Sequence, residues 1–173
     1  MPPPKGVNPK VIGDHSQAMV LARLVQTYPQ VLVPFGENCR YDLVIAEGDR
    51  FIRVQCKTGR LRNGVIKFNA CSYSYHHPSN RGSRNYRHDY RDQADVFGVY
   101  CPELDAVYLV PVDEVGTTYV ALRVESTKNN QSKKIRWAQD YEVRAGLAQS
   151  VEHPICNRKA VGSNPTPGSA TLW

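Results

Sequence analysis

Three polar residues stand inside two stretches that otherwise read as β-strands. Asp42 lies in YDLVIAE (41–47), and Gln55 and Lys57 lie in FIRVQCKT (51–58). A purely structural sheet favours Val, Ile or Thr at such positions. Side chains alternate along a strand with a period of two, so Ile52, Val54 and Cys56 point to one face and Arg53, Gln55 and Lys57 to the other. A hairpin turn at EGDR would let Asp42 meet the Gln55–Lys57 face across the ladder. Such a group suits metal-assisted phosphodiester hydrolysis. Asp42 would hold Mg²⁺ through a carboxylate oxygen, the amide oxygen of Gln55 would add a neutral ligand, and the backbone carbonyl of Cys56 offers a further oxygen, since hard cations prefer oxygen. Lys57 would either position and activate the attacking water or stabilise the charge developing on phosphorus. The plain alternative is an edge-strand carboxylate beside two solvent-facing side chains.

These residues need a sheet to hold them, and the chain supplies one. Residues 1 to 12 carry four prolines and read as an extended or disordered arm. Asp14 is an N-cap for an amphipathic helix over residues 15 to 28, with Met19, Val20, Leu24 and Val25 at helical spacing and Pro29 as its stop. Strands follow at 31–35, 41–47, 51–58 and 65–71, the last after an Asn63-Gly64 turn signal. Residues 72 to 93 are polar, basic and tyrosine-rich, and read as a long loop, a feature that is often functional. Two strands at 95–101 and 106–112, one at 118–124, and a last strand or short helix at 135–143 complete the series. This order makes an α/β or α+β chain with a mixed central sheet.

Composition narrows the partners. The chain has 173 residues, enough for one domain with a real core. No apolar run approaches the ~20 residues a membrane helix needs, and MPPPKGVNPK lacks the apolar segment of a secretory signal, so a cytoplasmic protein is expected. Cys39, Cys56, Cys71, Cys101 and Cys156 form no C-x-x-C pair and read as reduced thiols. Net charge is +6. Nine Lys and Arg residues between Arg53 and Arg91 face only Asp89, with Tyr73, Tyr75, Tyr86 and Tyr90 interleaved. That stretch reads as a phosphate-contacting surface, because affinity for nucleic acid rests largely on neutralised phosphates. Arg60, Arg62 and Lys67 would extend the polar face of the sheet toward DNA, and Arg81, Arg84, Tyr86, Arg87 and Arg91 would hold its backbone from the loop. Arg40 and Tyr41, next to Asp42, would reach the scissile phosphate.

The stretch VLVPFGENCRYDLVIAEGDRFIRVQCKTGR, with GDHSQ before it and DVFGVYCPELDAVYLVPVDEV after it, resembles intron-encoded homing endonucleases of the PD-(D/E)XK superfamily, of the cyanobacterial kind found in a transfer-RNA group I intron. The likeness spans roughly residues 12 to 143. It implies a PD-(D/E)XK core over residues 13 to 144, with the mixed sheet flanked by helices. It implies a Mg²⁺-dependent double-strand DNA endonuclease with a long target, Mn²⁺ being able to substitute, that assembles as a homo-oligomer (dimer or tetramer). Asp42 matches that family's metal-binding aspartate, and Gln55-Cys56-Lys57 its variant in which Gln replaces the second acidic residue. A glutamate on the family's first helix is matched here by Gln17, which brings no charge. Asp42 is then the one carboxylate placed at the metal, unless Asp14 or Glu37 helps. A catalytically decayed DNA-binding copy and a structure-selective, Holliday-junction resolvase-like nuclease are the alternatives.

After Val143 the character changes, and residues 145 to 173 read as a disordered extension outside the fold. Gly162-Ser163-Asn164-Pro165 can be written GGT TCG AAT CCN, which matches the T-arm consensus of transfer-RNA genes. The reading frame is therefore expected to run into such a gene.

Overall fold

A computed structural model describes residues 8–36, 38–76, 84–126 and 135–144. Its single α-helix among the described residues, α1 (Pro9–Thr27), is capped by Asn8, whose side chain accepts a hydrogen bond from the Lys10 backbone N–H at 3.0 Å. Pro9 fills the first helical position, where a missing N–H costs nothing. The expected N-cap at Asp14 and the expected arm over residues 9 to 12 are thus corrected. The Asn-Pro start is the stronger signal, and apolar periodicity missed it because the first turns face solvent, Val11 being exposed. Tyr28 is extended and ends the helix ahead of Pro29.

Ten strands follow. β1 is Gln30–Leu32, β2 Leu43–Glu47, β3 Arg50–Thr58, β4 Arg60–Arg62, β5 Val65–Asn69, β6 Ser72–His76, β7 Arg84–His88, β8 Val96–Cys101, β9 Ala106–Pro111 and β10 Tyr119–Arg123. The central sheet has the order β1-β2-β3-β8-β9, with β3 and β8 parallel and every other neighbour antiparallel. It is the mixed sheet expected. A second sheet, β10-β5-β4, is antiparallel throughout, and its β4–β5 hairpin turns at Asn63 and Gly64, both at positive φ. The expected long loop at residues 72 to 93 is corrected in part, since β6 and β7 pair there as an antiparallel ribbon. The segment at 135–143 holds a short 3-10 turn (Ala138–Asp140) between isolated bridges.

The central sheet is covered on both faces by different layers. α1 lies over β3 and β8, and its Val20 and Leu24 pack with Leu43, Ile45, Ile52, Val54, Val96 and Leu109. On the other face the inner side chains of the second sheet, Ile66, Phe68, Val120 and Leu122, pack against Phe97, Val99, Tyr108 and Val110. One helix and one sheet therefore flank the central sheet, rather than helices alone. Every residue of β8 and β9 is buried, as strands covered on both faces require.

Gly98 lets the helix approach. A Cβ there would stand 2.8 Å from Val20 Cγ1 and 2.9 Å from Val54 Cγ1. Gly98→Ala is expected to destabilise the fold by about 1–3 kcal/mol through overpacking. Urea unfolding should show a lower midpoint at unchanged slope; an unmoved midpoint would mean the helix is not seated on β8 as described.

Candidate active site

The β2–β3 register pairs Leu43 with Val54, and so sets Asp42 opposite Gln55. The Asp42 backbone N–H donates to Val54 O at 2.9 Å, which is the last main-chain bond at this end of the hairpin. From there the Asp42 side chain takes over. Its Oδ2 accepts from the Cys56 backbone N–H at 2.7 Å and from Gln55 Nε2 at 2.5 Å. Gln55 Nε2 also lies 3.3 Å from Cys56 O. One carboxylate, one amide and one backbone carbonyl are thereby gathered at the point where β2 leaves β3. The hydrogen bonds of this group engage Asp42 Oδ2 and Gln55 Nε2.

Burial of Asp42 raises its carboxyl above the usual range, and this outweighs the Cys56 N–H, the nearby Lys57 charge and the Gln55 amide, which all act to lower it. Burial pushes the Cys56 thiol up further, with the Asp42 charge adding to the effect. Cys56 contributes here through its peptide, while its side chain packs on the helix side with Val54.

Lys57 lies on the same face as Gln55. Its Nζ donates to Tyr90 Oη at 3.0 Å and to Cys71 O at 3.4 Å, and sits 4.4 Å from the Tyr90 ring centroid. Arg40 places its guanidinium carbon 4.5 Å from that same centroid. The guanidinium also donates to Gln93 Oε1 at 2.7 Å, Ser72 Oγ at 3.0 Å and Asp89 O at 3.0 Å. Arg40 thus ties the approach to Asp42 to the β6–β7 ribbon and the turn beyond it.

The structure brings Asp42, Gln55, the Cys56 peptide, Lys57 and Arg40 into one region. Tyr41 is half-buried and packs against the core under the second sheet. Gln17 is half-buried on α1. Its neighbour Ser16 shares a 2.6 Å hydrogen bond with Thr58, so α1 meets β3 on the Ile52–Val54–Cys56–Thr58 face, opposite to Gln55 and Lys57. Gln17 itself makes no hydrogen bond to Asp42, Gln55 or Lys57. Asp14 is exposed on the same helix, and Glu37 lies outside the described residues.

The basic residues divide by element. Arg60 and Lys67 are direct partners across β4 and β5, and Arg62 falls two residues from Arg60 on the same outward face. Glu103 Oε1 lies 3.5 Å from Arg60. The register adds Arg123 and the exposed Tyr119 from β10 to that face, which sequence alone did not single out. Arg84 and Tyr86 lie on β7, Arg87 is exposed on that strand, and Arg91 is exposed just after it. Arg81 lies outside the described residues.

The profile of the PD-(D/E)XK endonuclease family matches residues 7–144. The chain belongs to this family. Among solved structures it is similar to a bacterial homing endonuclease, I-Ssp6803I, at 25% identity and a TM-score of 0.59, covering 79% of this chain and 89% of that one. No curated protein matches the sequence. The likeness joins the β2–β3 fork to a nuclease fold and makes this chain an endonuclease by family. The Asp42 carboxylate and the Cys56 carbonyl are oxygen donors of the kind taken by the divalent ions that PD-(D/E)XK nucleases generally use, and Gln55 joins them here through Nε2. Among the described residues no three His, Cys, Asp or Glu side chains cluster as an alternative metal site, and no helix is long and apolar enough to cross a membrane.

A carboxyl raised by folding weighs against stability once it ionises. That effect is absent below the unfolded value of 3.8 and grows as pH rises through the folded value. Asp42→Asn keeps an acceptor for Cys56 and Gln55 and removes the buried charge. In EDTA at pH 7 it should raise Tm by about 2–4 °C, and the gain should vanish near pH 3. A lower Tm at pH 7 would show that the charge itself holds the fork together.

Proposed function

We propose that this chain is a site-specific double-stranded DNA endonuclease that hydrolyses phosphodiester bonds with Mg²⁺, Mn²⁺ being able to substitute. The observation that carries this reading is the convergence of Asp42, Gln55 and the Cys56 carbonyl on one side of β3, with Lys57 two residues beyond Gln55. Asp42, Gln55 Oε1 and Cys56 O would hold the ion, which when bound polarises the phosphate and lowers the pKa of water. The chain's own residues supply the rest. In the free chain Gln55 Nε2 donates to Asp42 Oδ2 and Cys56 O, so the amide turns over to offer Oε1 to the ion. Lys57 brings a positive charge to the reacting phosphate or holds the attacking water beside it. Water oxygen bonds to phosphorus, the P–O bond to the leaving nucleotide breaks, and the water proton passes to solvent or to the leaving oxygen.

Homing activity at a long target in a transfer-RNA gene is supported by the structural likeness to a homing endonuclease and by the T-arm-like codons of Gly162–Pro165. The exposed basic face of β4, β5 and β10 and the cations Arg87 and Arg91 would neutralise DNA phosphates. Two such chains acting on the two strands would make a double-strand cut, which accords with a homo-oligomer. Residues 13 to 144 would form the catalytic unit.

The test is cleavage of a duplex spanning the intronless transfer-RNA gene, with Mg²⁺, by the wild type and by Asp42→Ala and Lys57→Ala. Each substitution should reduce single-turnover cleavage by about 10²–10³-fold or more while DNA binding survives. Tight binding without cleavage by the wild type would identify a decayed copy, and preference for a four-way junction over this duplex would identify a resolvase-like enzyme. A chain ending at Arg144 should cut as the full chain does. Lost activity on that truncation would place residues 145 to 173 within the working protein.

A further inference from the structure

Tyr90 is nearly fully buried, with 4% of its surface exposed, yet its ring carries two cations. Phe97 holds the ring from the core in an edge-to-face contact, with centroids 5.6 Å apart and planes at 89°. The turn that follows fixes its backbone, as Gln93 N–H and Ala94 N–H both donate to Tyr90 O. The ring is therefore a rigid platform rather than a surface side chain.

What sits on the platform is unusual electrostatically. Arg40 and Lys57 contact one tyrosine, each within 4.5 Å of its ring centroid, with Lys57 at the hydroxyl end. Neither forms an ion pair among the described residues. The partners of Arg40 are an amide, a hydroxyl and a backbone carbonyl, and those of Lys57 are a phenol and a backbone carbonyl. Other cations of the fold do take carboxylates, as Arg53 does with Asp95 and Arg60 with Glu103. A ring quadrupole and neutral dipoles orient two cations here, with part-buried Asp42 the acid whose charge Lys57 feels. The missing partner of such a pair is an anion; Arg40 lies two residues before Asp42, and the Lys57 charge reaches Asp42.

We propose that Tyr90 is a positioning residue that holds Arg40 and Lys57 as a two-cation seat for one phosphodiester group of DNA. This rests on the nuclease reading and extends it. The seat explains why the aromatic is Tyr. The ring serves both cations, while the hydroxyl fixes Lys57 alone, so the two contributions separate chemically. Tyr90→Phe keeps the ring and its packing on Phe97 and loses only the hydroxyl. Tyr90→Leu removes the platform.

The experiment uses the full chain labelled with ¹³C at the lysine ε-carbon, with Lys57→Ala to assign the Lys57 signal. The wild type should show that signal displaced upfield by the ring. The displacement should persist in Tyr90→Phe and disappear in Tyr90→Leu. Adding a short duplex in EDTA should move the signal in the wild type, and adding inorganic phosphate should move it the same way at higher concentration. In Mg²⁺, Tyr90→Phe should cut about tenfold more slowly in a single turnover, with duplex Kd within about twofold of wild type and Tm unchanged. A purely structural tyrosine would move Tm and leave that rate untouched. An undisplaced Lys57 signal, a signal indifferent to duplex, or wild-type cutting by Tyr90→Phe would each overturn the seat. A wild type that cuts no DNA, but whose Lys57 signal answers to the duplex, would overturn the nuclease reading and leave the seat standing.

Discussion

The hydrogen bond from the Cys56 backbone N–H to Asp42 Oδ2 is the joint on which the site depends. In an unbroken antiparallel ladder, that N–H would find a carbonyl on β2. Here β2 has already turned away, because the last main-chain bond of the pair is Asp42 N–H to Val54 O. A buried N–H left without a partner costs about 1–3 kcal/mol, and the carboxylate supplies the partner. One side chain thus ends the ladder and opens a fork. β3 can continue past the fork to Thr58 because β8 supports it in parallel on the other side, where Lys57 pairs with Val99 and Thr58 with Tyr100.

The two layers around the central sheet serve this arrangement unequally. The helix layer is bulk packing, with Gly98 allowing close approach and Ser16 pinning α1 to Thr58. On the opposite layer Tyr90 and Phe97 join the core to Lys57, and Arg40 bridges from the turn after β7 to the segment entering Asp42. Under the proposed reading the chemistry lies on this side, where the covering element is a small sheet and a ribbon rather than a helix. The Gly59 junction follows from this. A Cβ there would strike Ile66 and Val99 at 2.7 and 2.9 Å, so only glycine lets β3 pass straight into β4 beneath the second sheet.

Asp42, Gln55 and Lys57 were legible in the sequence because a strand has an exact side-chain period and a hairpin has a register. Polar residues at even spacing in an apolar strand must share a face. Gln17 was chosen through family resemblance, and no comparable periodicity tied the helix to that face. Its neighbour Ser16 meets β3 at Thr58. The β6–β7 ribbon was not legible because SYSYH and RNYRH lack the apolar alternation that marks a half-buried strand. Arg123 and Tyr119 escaped because their face is set by pairing with β5, some fifty residues earlier in the chain. Tyr90 was visible only as one tyrosine among several in a basic stretch, and its burial between Phe97 and two cations is a tertiary fact.

The charge balance of the fork bears on the order of events at the site. Among the described residues Asp42 is the one carboxylate at the fork, Lys57 acts on it, and neither Lys57 nor Arg40 forms an ion pair with another acid. A cation approaching the free chain meets one raised carboxyl and two positive charges, which is a poor binding site by Coulomb's law. A phosphodiester meets the reverse. Once a phosphate occupies the seat, the two cations are compensated and its oxygens add negative ligands beside Asp42. Under the proposed reading, metal affinity is then conferred by the substrate, and the free protein binds Mg²⁺ weakly. A second acidic residue in place of Gln55 would strengthen metal binding in the free chain. Gln at that position instead makes the complete metal shell a property of the protein–DNA complex, so that the ion is held where a phosphate is already seated.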